Sequence, residues 1–352
     1  MKKHLGYLAT GLMLITTNLH AGSIKTESVD LDLSGGVSGS FFTSNNTGSK
    51  VHDNLQISDI MLELKTGKIK KTGVGFTIGL GGYTPSTLYD GGMMPGFITD
   101  TTQIPLFSDT PRGFNHGWLS VAPMKDLAID IGVIPTTIGL EQGVSYANGN
   151  ILRGVIWNAQ PGYYRGLRAN YSIDDIKVFV EFNNDASQGS SKSFALGADA
   201  KIDDMKVGGT FLYGDGGNNI FDVIFTMKID KSIDVGANLD LFIVESPQVG
   251  ASSSVFGLAL YANARFDDIS VPVRLEYANS GTGNTVYGYN GGGIGTSAYS
   301  ITVTPTYNFS KETYVRADLA LIGTDAKIFT DKSFPPSESM KMSFALQTGY
   351  KF

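Results

Sequence analysis

Few side chains in this sequence could make or break a covalent bond. The chain of 352 residues has no cysteine, so it offers no thiolate nucleophile, no disulfide and no thiolate metal site. Of its 4 histidines, His4 and His20 fall in an N-terminal targeting segment, which leaves His52 and His116. A serine hydrolase would need one of these two as its base, and no serine stands in a recognisable nucleophile motif. We expect no catalytic residue, no cofactor and no metal ion, and a structural role for both histidines.

The charged residues that could act on a solute alternate with apolar residues. From residue 269 to 277, isoleucine, valine, leucine and tyrosine occupy the odd positions, while Arg274 and Glu276 fall on even ones. Arg316 and Asp318 alternate with apolar neighbours in the same way. Strict alternation is typical of a β-strand with one apolar and one polar face.

Charges of both signs share the polar face of these segments. We predict that this face lines a water-filled lumen while the apolar face meets lipid, because burying so many charges in a dry core is costly unless they are paired. The side chains predicted to face the lumen are Glu63, Lys65, Asp130, Arg168, Lys177, Glu181, Asp199, Lys201, Asp222, Lys228, Asp234, Asp240, Arg265, Arg274, Glu276, Arg316, Asp318 and Lys341. The alternative is that opposite charges pair across neighbouring strands and close the pore.

A further group of charges lies in or beside a long connection from Pro135 to Gly162. Glu141, Arg153, Arg165 and Arg168 stand out there in a charge-poor stretch. A loop of this length can fold into an aqueous pore and narrow it. Arginines facing a carboxylate across such a constriction would set a transverse field that sorts solutes. The predicted pore-lining or constriction residues are Glu141, Arg153, Arg165, Arg168, Arg274, Glu276, Arg316 and Asp318.

The connections between the alternating segments are either very short or long. The short turns are Asp174-Asp175, Asp203-Asp204, Asp230 to Ser232, Asp267-Asp268 and Ser310 to Glu312, with earlier ones at Gly67 to Thr72 and Met124 to Asp126. The long connections are Thr43 to Asn54, Thr84 to Asn115, Pro135 to Gly162, Asn184 to Lys192, Gly214 to Asn218, Ser246 to Ser253, Asn279 to Ser297 and Thr324 to Ser339. These seven turns and eight loops predict about sixteen strands of about ten residues, with fourteen as the alternative count. We therefore predict an all-β fold, a transmembrane antiparallel up-and-down β-barrel with short periplasmic turns and long extracellular loops.

Both ends of the chain fit export to a bacterial outer membrane. An apolar stretch behind two lysines predicts a signal peptide over residues 1–21, cut after Ala21, which leaves one barrel domain over residues 22–352. The last segment alternates and ends on Phe352, like the insertion signal of bacterial outer-membrane proteins. Aromatic residues near strand ends predict the girdles of such a barrel. They are Tyr171, Phe182, Phe194, Tyr213, Phe221, Phe266, Tyr277, Tyr307 and Phe309.

Composition excludes other classes of protein. Lysine and arginine number 27 against 33 aspartate and glutamate, a net charge of −6, so no basic stripe is available for nucleic acid. The 44 glycines follow no collagen-like period and suit a tilted, curved barrel wall. The mean hydropathy is −0.01. A value near zero is expected when each strand has one apolar and one polar face.

One segment resembles a known family. Gly132 to Glu141, followed by Asn148, Pro161 and Gly166, resembles the beta-barrel porin-2 family, the OmpL-like outer-membrane porins. In that family a strand ending in a Gly-x-x-Pro/Thr run leads into a Gly-x-Glu loop, then an Asn and a Pro before the next strand. The resemblance implies a bacterial outer-membrane channel and carries over no catalytic or ligand-binding residue.

The predicted function is a porin, a passive diffusion channel for ions and small hydrophilic solutes, and not an enzyme. Its expected partners are outer-membrane lipid and these solutes, with a homotrimer suggested by the apolar loop Thr84 to Asn115 and by the resemblance. One alternative is a closed barrel that serves as a surface scaffold or adhesin. A less favoured alternative is an outer-membrane hydrolase that depends on His52 or His116.

Overall fold

The chain forms a β-barrel in a computed structural model. The residues described are 22–25, 30–47, 53–66, 73–84, 88, 113–184, 192–214, 218–244, 254–279, 297–331 and 336–352. Among them, none lies in a helix long and apolar enough to cross a membrane. The predicted signal peptide lies outside these residues, as does His52 and nearly all of the loop from Thr84 to Asn115, so those predictions stay as they are.

Eighteen strands make up the sheet. They are β1 (Gly22–Lys25), β2 (Asp30–Ser44), β3 (Asp53–Thr66), β4 (Val74–Tyr83), β5 (Phe114–Met124), β6 (Leu127–Pro135), β7 (Tyr163–Ile173), β8 (Ile176–Asn184), β9 (Lys192–Ile202), β10 (Met205–Gly214), β11 (Asn218–Lys228), β12 (Ile233–Val244), β13 (Ser254–Phe266), β14 (Ile269–Asn279), β15 (Ser297–Val303), β16 (Thr306–Asn308), β17 (Thr313–Thr324) and β18 (Met340–Lys351). Two short 3-10 helices cover Ser145–Ala147 and Ile156–Ala159.

The sheet closes on itself as a barrel of sixteen wall strands. Strands consecutive along the wall pair antiparallel from β2 onwards, and β18 pairs with β2 to complete the circle. β15 and β16 share one wall position between β14 and β17, interrupted at Thr304 and Pro305. β1 is an added strand on the start of β2. The predicted fold class and count of sixteen are confirmed.

Tight turns close one end of the barrel. Asp174, Asp203 and Asp267 begin two-residue turns with φ angles of 49°, 50° and 50°. Aspartate tolerates this left-handed region better than most residues, because its short side chain can bond to the local backbone. The three predicted Asp-Asp turns are confirmed. We call this end of the barrel the turn end, and the opposite end the loop end.

The two faces of the wall differ as the alternation predicts. On β11, Phe221 and Val223 point outward and are exposed, whereas Asp222 and Ile224 point into the lumen and are buried. All nine predicted girdle aromatics are exposed on the outer surface. An exposed apolar band of this kind is what lipid covers in an outer-membrane barrel.

The C-terminal residue belongs to the seam that closes the barrel. The amide of Phe352 donates to the carbonyl of Gly35, and the amide of Gly35 donates to the carbonyl of Phe352, both at 2.9 Å. Strand β18 alternates as predicted, with Met342 and Leu346 outward and Gln347 inward. The aromatic C-terminal strand is therefore the last wall strand of the closed barrel.

The depth of a residue in the membrane should determine how much a charge on the lipid face lowers the free energy of unfolding. Leu196→Arg, in the middle of β9, should destabilise the barrel by about 2–4 kcal/mol, because the guanidinium would enter the hydrocarbon region. Ile202→Arg is the matched control, on the same face at the turn end, and should cost about 0–1 kcal/mol. Denaturant unfolding in lipid vesicles measures both, and equal costs would contradict the assigned lipid face.

Candidate functional site

The long connection between β6 and β7 lies inside the barrel. Residues 136–162, called the inner loop below, bond to Asp59 on β3, Asp222 on β11 and Asp318 on β17. These strands belong to well-separated sectors of the wall, so one segment can reach all three only from within the lumen.

Carboxylates of the wall hold the inner loop by its backbone amides. Asp318 Oδ2 accepts from the amides of Ile151 at 2.9 Å and Leu152 at 2.7 Å, and its other oxygen accepts from the hydroxyl of Thr304 at 2.6 Å. Glu276 accepts from the amide of Ile156 at 3.2 Å. A carboxylate is a strong acceptor, and here it supplies partners that a non-helical, non-sheet backbone lacks.

Arginines of the wall hold the same loop by its carbonyls. Arg316 donates to the carbonyls of Ser145 at 2.8 Å and Asn148 at 2.7 Å. Arg274 donates to the carbonyl of Leu152 at 2.8 Å and forms an ion pair with Glu141 of the loop. Four of the predicted lumen residues, Arg274, Glu276, Arg316 and Asp318, are thus anchors of the inner loop.

Glu141 and Arg153 are buried within the loop and its wall contacts. Glu141 accepts from the amide of Gly154 at 2.7 Å besides its pair with Arg274. Arg153 donates to the carbonyls of Ile151, at 2.8 Å, and Gly143. Burial raises the pKa of Glu141, which Arg274 opposes, and burial lowers the pKa of Arg153.

Arg165 and Arg168 are both on β7, beside the root of the inner loop. Arg168 pairs with Glu181 on β8 at 2.5 Å and donates to the carbonyl of Pro135 at 2.7 Å. Arg165 is half-buried and lies opposite Val133 and Asn184 in the sheet register. It shares the parity of Leu167, which is exposed on the outer surface, so the prediction that Arg165 lines the pore is wrong: it is an odd number of residues from the inward Arg168 on the same strand. Glu141 forms its ion pair with Arg274 on β14 and not with the arginines of β7.

Part of the lumen near the loop end is filled by an apolar cluster, which the sequence interpretation missed. Inward side chains near the loop ends of the strands, among them Leu212, Phe242 and Ile322, are buried in one cluster with the inner loop. The loop contributes Ile138, Ile151, Leu152, Val155 and Ile156 to this cluster. The predicted polar lumen is therefore wrong for the apolar cluster, whereas inward polar residues such as Asn183 and Lys341 occur near the loop end as well. Leucine, phenylalanine and isoleucine at inward positions of the strands were the available signal.

Opposite charges do pair across strands, which was the alternative for the lumen. Arg168 pairs with Glu181 as described, and Arg274 Nε lies 3.2 Å from Glu276 Oε2 on the same strand. Arg265 on β13 pairs with Asp234 on β12. Arg274 and Asp318 have relative exposures of 0%, so water does not reach them in this conformation.

A cavity of 440 Å³ lies between the inner loop and the wall at the turn end. The loop contributes Glu141, Tyr146 and Asn148 to its lining, and the wall contributes Lys228 on β11 and Lys351 on β18. Polar and apolar side chains line this cavity in similar measure, and the charged ones include Arg265 and Arg316.

His116 makes contacts of a structural kind. Its ring nitrogens lie 3.1 Å from Glu63 and 2.9 Å from Asn115, and the ring stacks on Tyr163 at a centroid distance of 5.3 Å. In the part of the chain that the structure describes, no group of three or more His, Cys, Asp or Glu side chains could hold a metal ion. The expected absence of a metal and a cofactor stays a prediction.

A closed antiparallel barrel of sixteen wall strands, apolar outside and with a loop folded inside, defines an outer-membrane barrel of the porin class. The chain belongs to the family described as "Putative beta-barrel porin-2, OmpL-like", whose model matches residues 30–352. The resemblance read from the sequence is confirmed, and so is the bacterial outer membrane as the location. No curated protein sequence matches the chain.

Solved outer-membrane proteins share the fold at low sequence identity. OmpT of Vibrio cholerae, folded in vitro, is 12% identical with a TM-score of 0.63, covering 94% of this chain and 100% of that one. The outer membrane channel DcaP of Acinetobacter baumannii is 11% identical with a TM-score of 0.62, covering 94% and 99%. A triple mutant of the Rhodopseudomonas blastica porin is 13% identical with a TM-score of 0.54, covering 92% and 100%.

Removal of the Asp318 carboxylate should release the inner loop from β17. Asp318→Ala leaves two buried amides without their acceptor. The variant should lower the free energy of unfolding by about 3 kcal/mol and raise the rate of hydrogen exchange at Ile151 and Leu152. Asp230 is the matched control, because it also accepts two backbone amides, from Ser232 and Ile233, but in an exposed turn. Asp230→Ala should cost about 1 kcal/mol or less and leave loop exchange unchanged. Unchanged protection of both loop amides in Asp318→Ala would contradict the anchoring role.

Proposed function

We propose that this porin is a passive diffusion channel for ions and small hydrophilic solutes. The observation that supports this best is the turn end of the lumen, where charged side chains help to line a cavity of 440 Å³. Solutes would move down their gradient, and the width and charge of the path would discriminate among them. No bond is made or broken, in keeping with the prediction that the protein is not an enzyme.

The path would follow the β3 to β8 side of the inner loop. Trp118 and Lys177 face the lumen there and are only half-buried. On the β11 to β17 side the cavity occupies the turn end, but Arg274 and Asp318, further along their strands, are fully buried against the loop, so no room for water is left at their depth. Half-exposed charges next to a narrow aqueous path act on passing ions more strongly than exposed ones, because the surrounding protein screens them less.

The arginines at the root and in the interior of the inner loop should set ion selectivity. Joint replacement of Arg153, Arg165 and Arg168 by alanine should shift the reversal potential towards cations, with a change of about twofold or more in the permeability ratio. Planar-bilayer recordings under a salt gradient measure it. An unchanged reversal potential would reject these residues as selectivity determinants.

Two further variants make the selectivity experiment specific. Arg165→Ala alone keeps the Arg168–Glu181 pair and the contacts of Arg153 and removes a charge on the outward parity of β7, so it should fold normally and leave the reversal potential unchanged, which assigns the shift to Arg153 and Arg168. Lys311→Ala, in an exposed turn, removes the same charge outside the lumen and should leave the reversal potential unchanged.

A closed barrel that acts as a surface scaffold is the second candidate function. The buried ion pairs and the apolar cluster around the inner loop favour it, since both exclude water from part of the lumen. The purified protein separates the two in a planar bilayer. Stable open steps support the channel, whereas silence across repeated insertions, with folding verified by circular dichroism, rejects it in favour of the scaffold.

We also propose that the protein assembles as a homotrimer. A trimer form of OmpT from Vibrio cholerae is among the solved structures that share this fold, with a TM-score of 0.59 at 10% identity. The apolar composition of residues 84–115 gives this chain a segment suited to contact a neighbouring subunit. Native mass spectrometry from mild detergent should give three times the chain mass, and a monomer under all mild conditions would reject the trimer.

A further inference from the structure

Three lysines form a row inside the lumen at its turn end. Lys201 ends the inward face of β9, Lys206 begins that of β10, and Lys228 ends that of β11. Lys201 and Lys206 are directly opposite each other in the sheet register. Lys206 also lies within electrostatic range of Lys228.

This row is poorly neutralised by the protein itself. Like charges directly opposite each other destabilise a sheet. The three lysines are exposed, and none forms an ion pair with a carboxylate among the residues described. Asp199, on the inward face of β9, lies within electrostatic range of Lys206, but it also faces Lys177 and Arg168. Asp234, which lies opposite Lys228 in the register, is bound by Arg265 instead. The row therefore leaves its positive charge directed at the water of the lumen.

The row continues into the cavity at the turn end. Lys228 lines one side of this cavity, and Lys351 lines it from the last wall strand, with its ammonium 5.8 Å from the ring centre of Tyr314. Lys351 also has no ion pair in the described part of the chain. Arg316, between them, is occupied by Gln347 and by loop carbonyls. The cavity thus presents the ammonium groups of Lys228 and Lys351 from separate sectors of the wall, whereas Lys201 and Lys206 lie outside its lining. Of the carboxylates in the lining, Glu141 pairs with Arg274 and Asp234 with Arg265, and Asp267 belongs to an exposed turn.

The cavity has room for a small solute. Its 440 Å³ falls in the range of about 300–1,000 Å³ typical of small-molecule sites. An anion with two or more negative charges could bridge separate ammonium groups, whereas chloride can neutralise only one. Oxyanions also accept several charge-assisted hydrogen bonds at once, which suits rotatable lysine donors.

We propose that the lysines at the turn end, Lys201, Lys206, Lys228 and Lys351, form a binding site for solutes that carry two or more phosphate or carboxylate charges. The site concentrates such anions at the periplasmic mouth, below the inner loop. It deepens the proposed channel function by naming a solute class, and its role in transport rests on that function. Binding itself does not require conduction, so the two can fail separately.

Calorimetry on the folded protein in detergent tests the site, with pyrophosphate and citrate as probes. Joint replacement of Lys201, Lys206 and Lys228 by glutamine should weaken binding by about tenfold or more, because charge-assisted contacts are lost. The matched control replaces three exposed turn lysines at the same end, Lys125, Lys231 and Lys311, by glutamine and should keep wild-type affinity. Lys206→Gln alone is the milder variant if the triple lumen variant does not fold.

The outcomes decide the proposal. If only pyrophosphate binds to the lumen lysines, the site is specific for phosphates, and if only citrate binds, it is specific for carboxylates. If both bind, the site recognises the negative charge of the solute and not its chemical group. No binding to the wild-type protein overturns the proposal, as does an equal loss in the turn-lysine control, which would show general attraction to the mouth. Binding by a protein that is silent in bilayers would reject the channel and keep the site.

Discussion

Complete hydrogen bonding of the backbone within lipid is the constraint on which this structure depends. The hydrocarbon of a membrane offers no partner for a free amide or carbonyl, so a sheet can span it only when its two edges join. Here β18 joins β2, and the amide and carbonyl of the terminal Phe352 complete that seam with Gly35. Closure then directs one face of every strand towards lipid and the other towards the lumen. Whether a side chain faces lipid or the lumen therefore depends on its odd or even position along the strand.

The same constraint recurs inside the barrel. The inner loop has little regular structure, so most of its amides and carbonyls need partners from elsewhere. The wall supplies them with acidic and basic side chains: Asp318 and Glu276 accept from amides, and Arg316 and Arg274 donate to carbonyls. The charged side chains that alternation places in the lumen thereby hold the loop, and an apolar cluster forms around the loop in part of the lumen.

The sequence predicted the strands of the barrel wall better than the arrangement of the side chains and the loop inside the barrel. Alternation at β14 and β17, the Asp-Asp turns and the aromatic girdles all reappear in the structure, because each reflects only the neighbours of a residue along its strand. The interruption of the wall at Thr304 and Pro305 was not predicted. The apolar cluster was not predicted either. An apolar side chain at an inward position contradicts a water-filled lumen, and only the position of the inner loop shows that such a side chain is covered.

The period of two, the spacing of the turns and the balance of charge are properties of the chain itself. They determined an outer-membrane barrel, its wall strands and the face on which each charge lies, because a β-strand imposes its own alternation. Only the tertiary structure decided which charge meets which partner. Asp318 and Ile151 are 167 residues apart, and Arg274 and Glu141 are 133 apart. Barrel closure and the course of the inner loop bring them together, and no local pattern encodes either one.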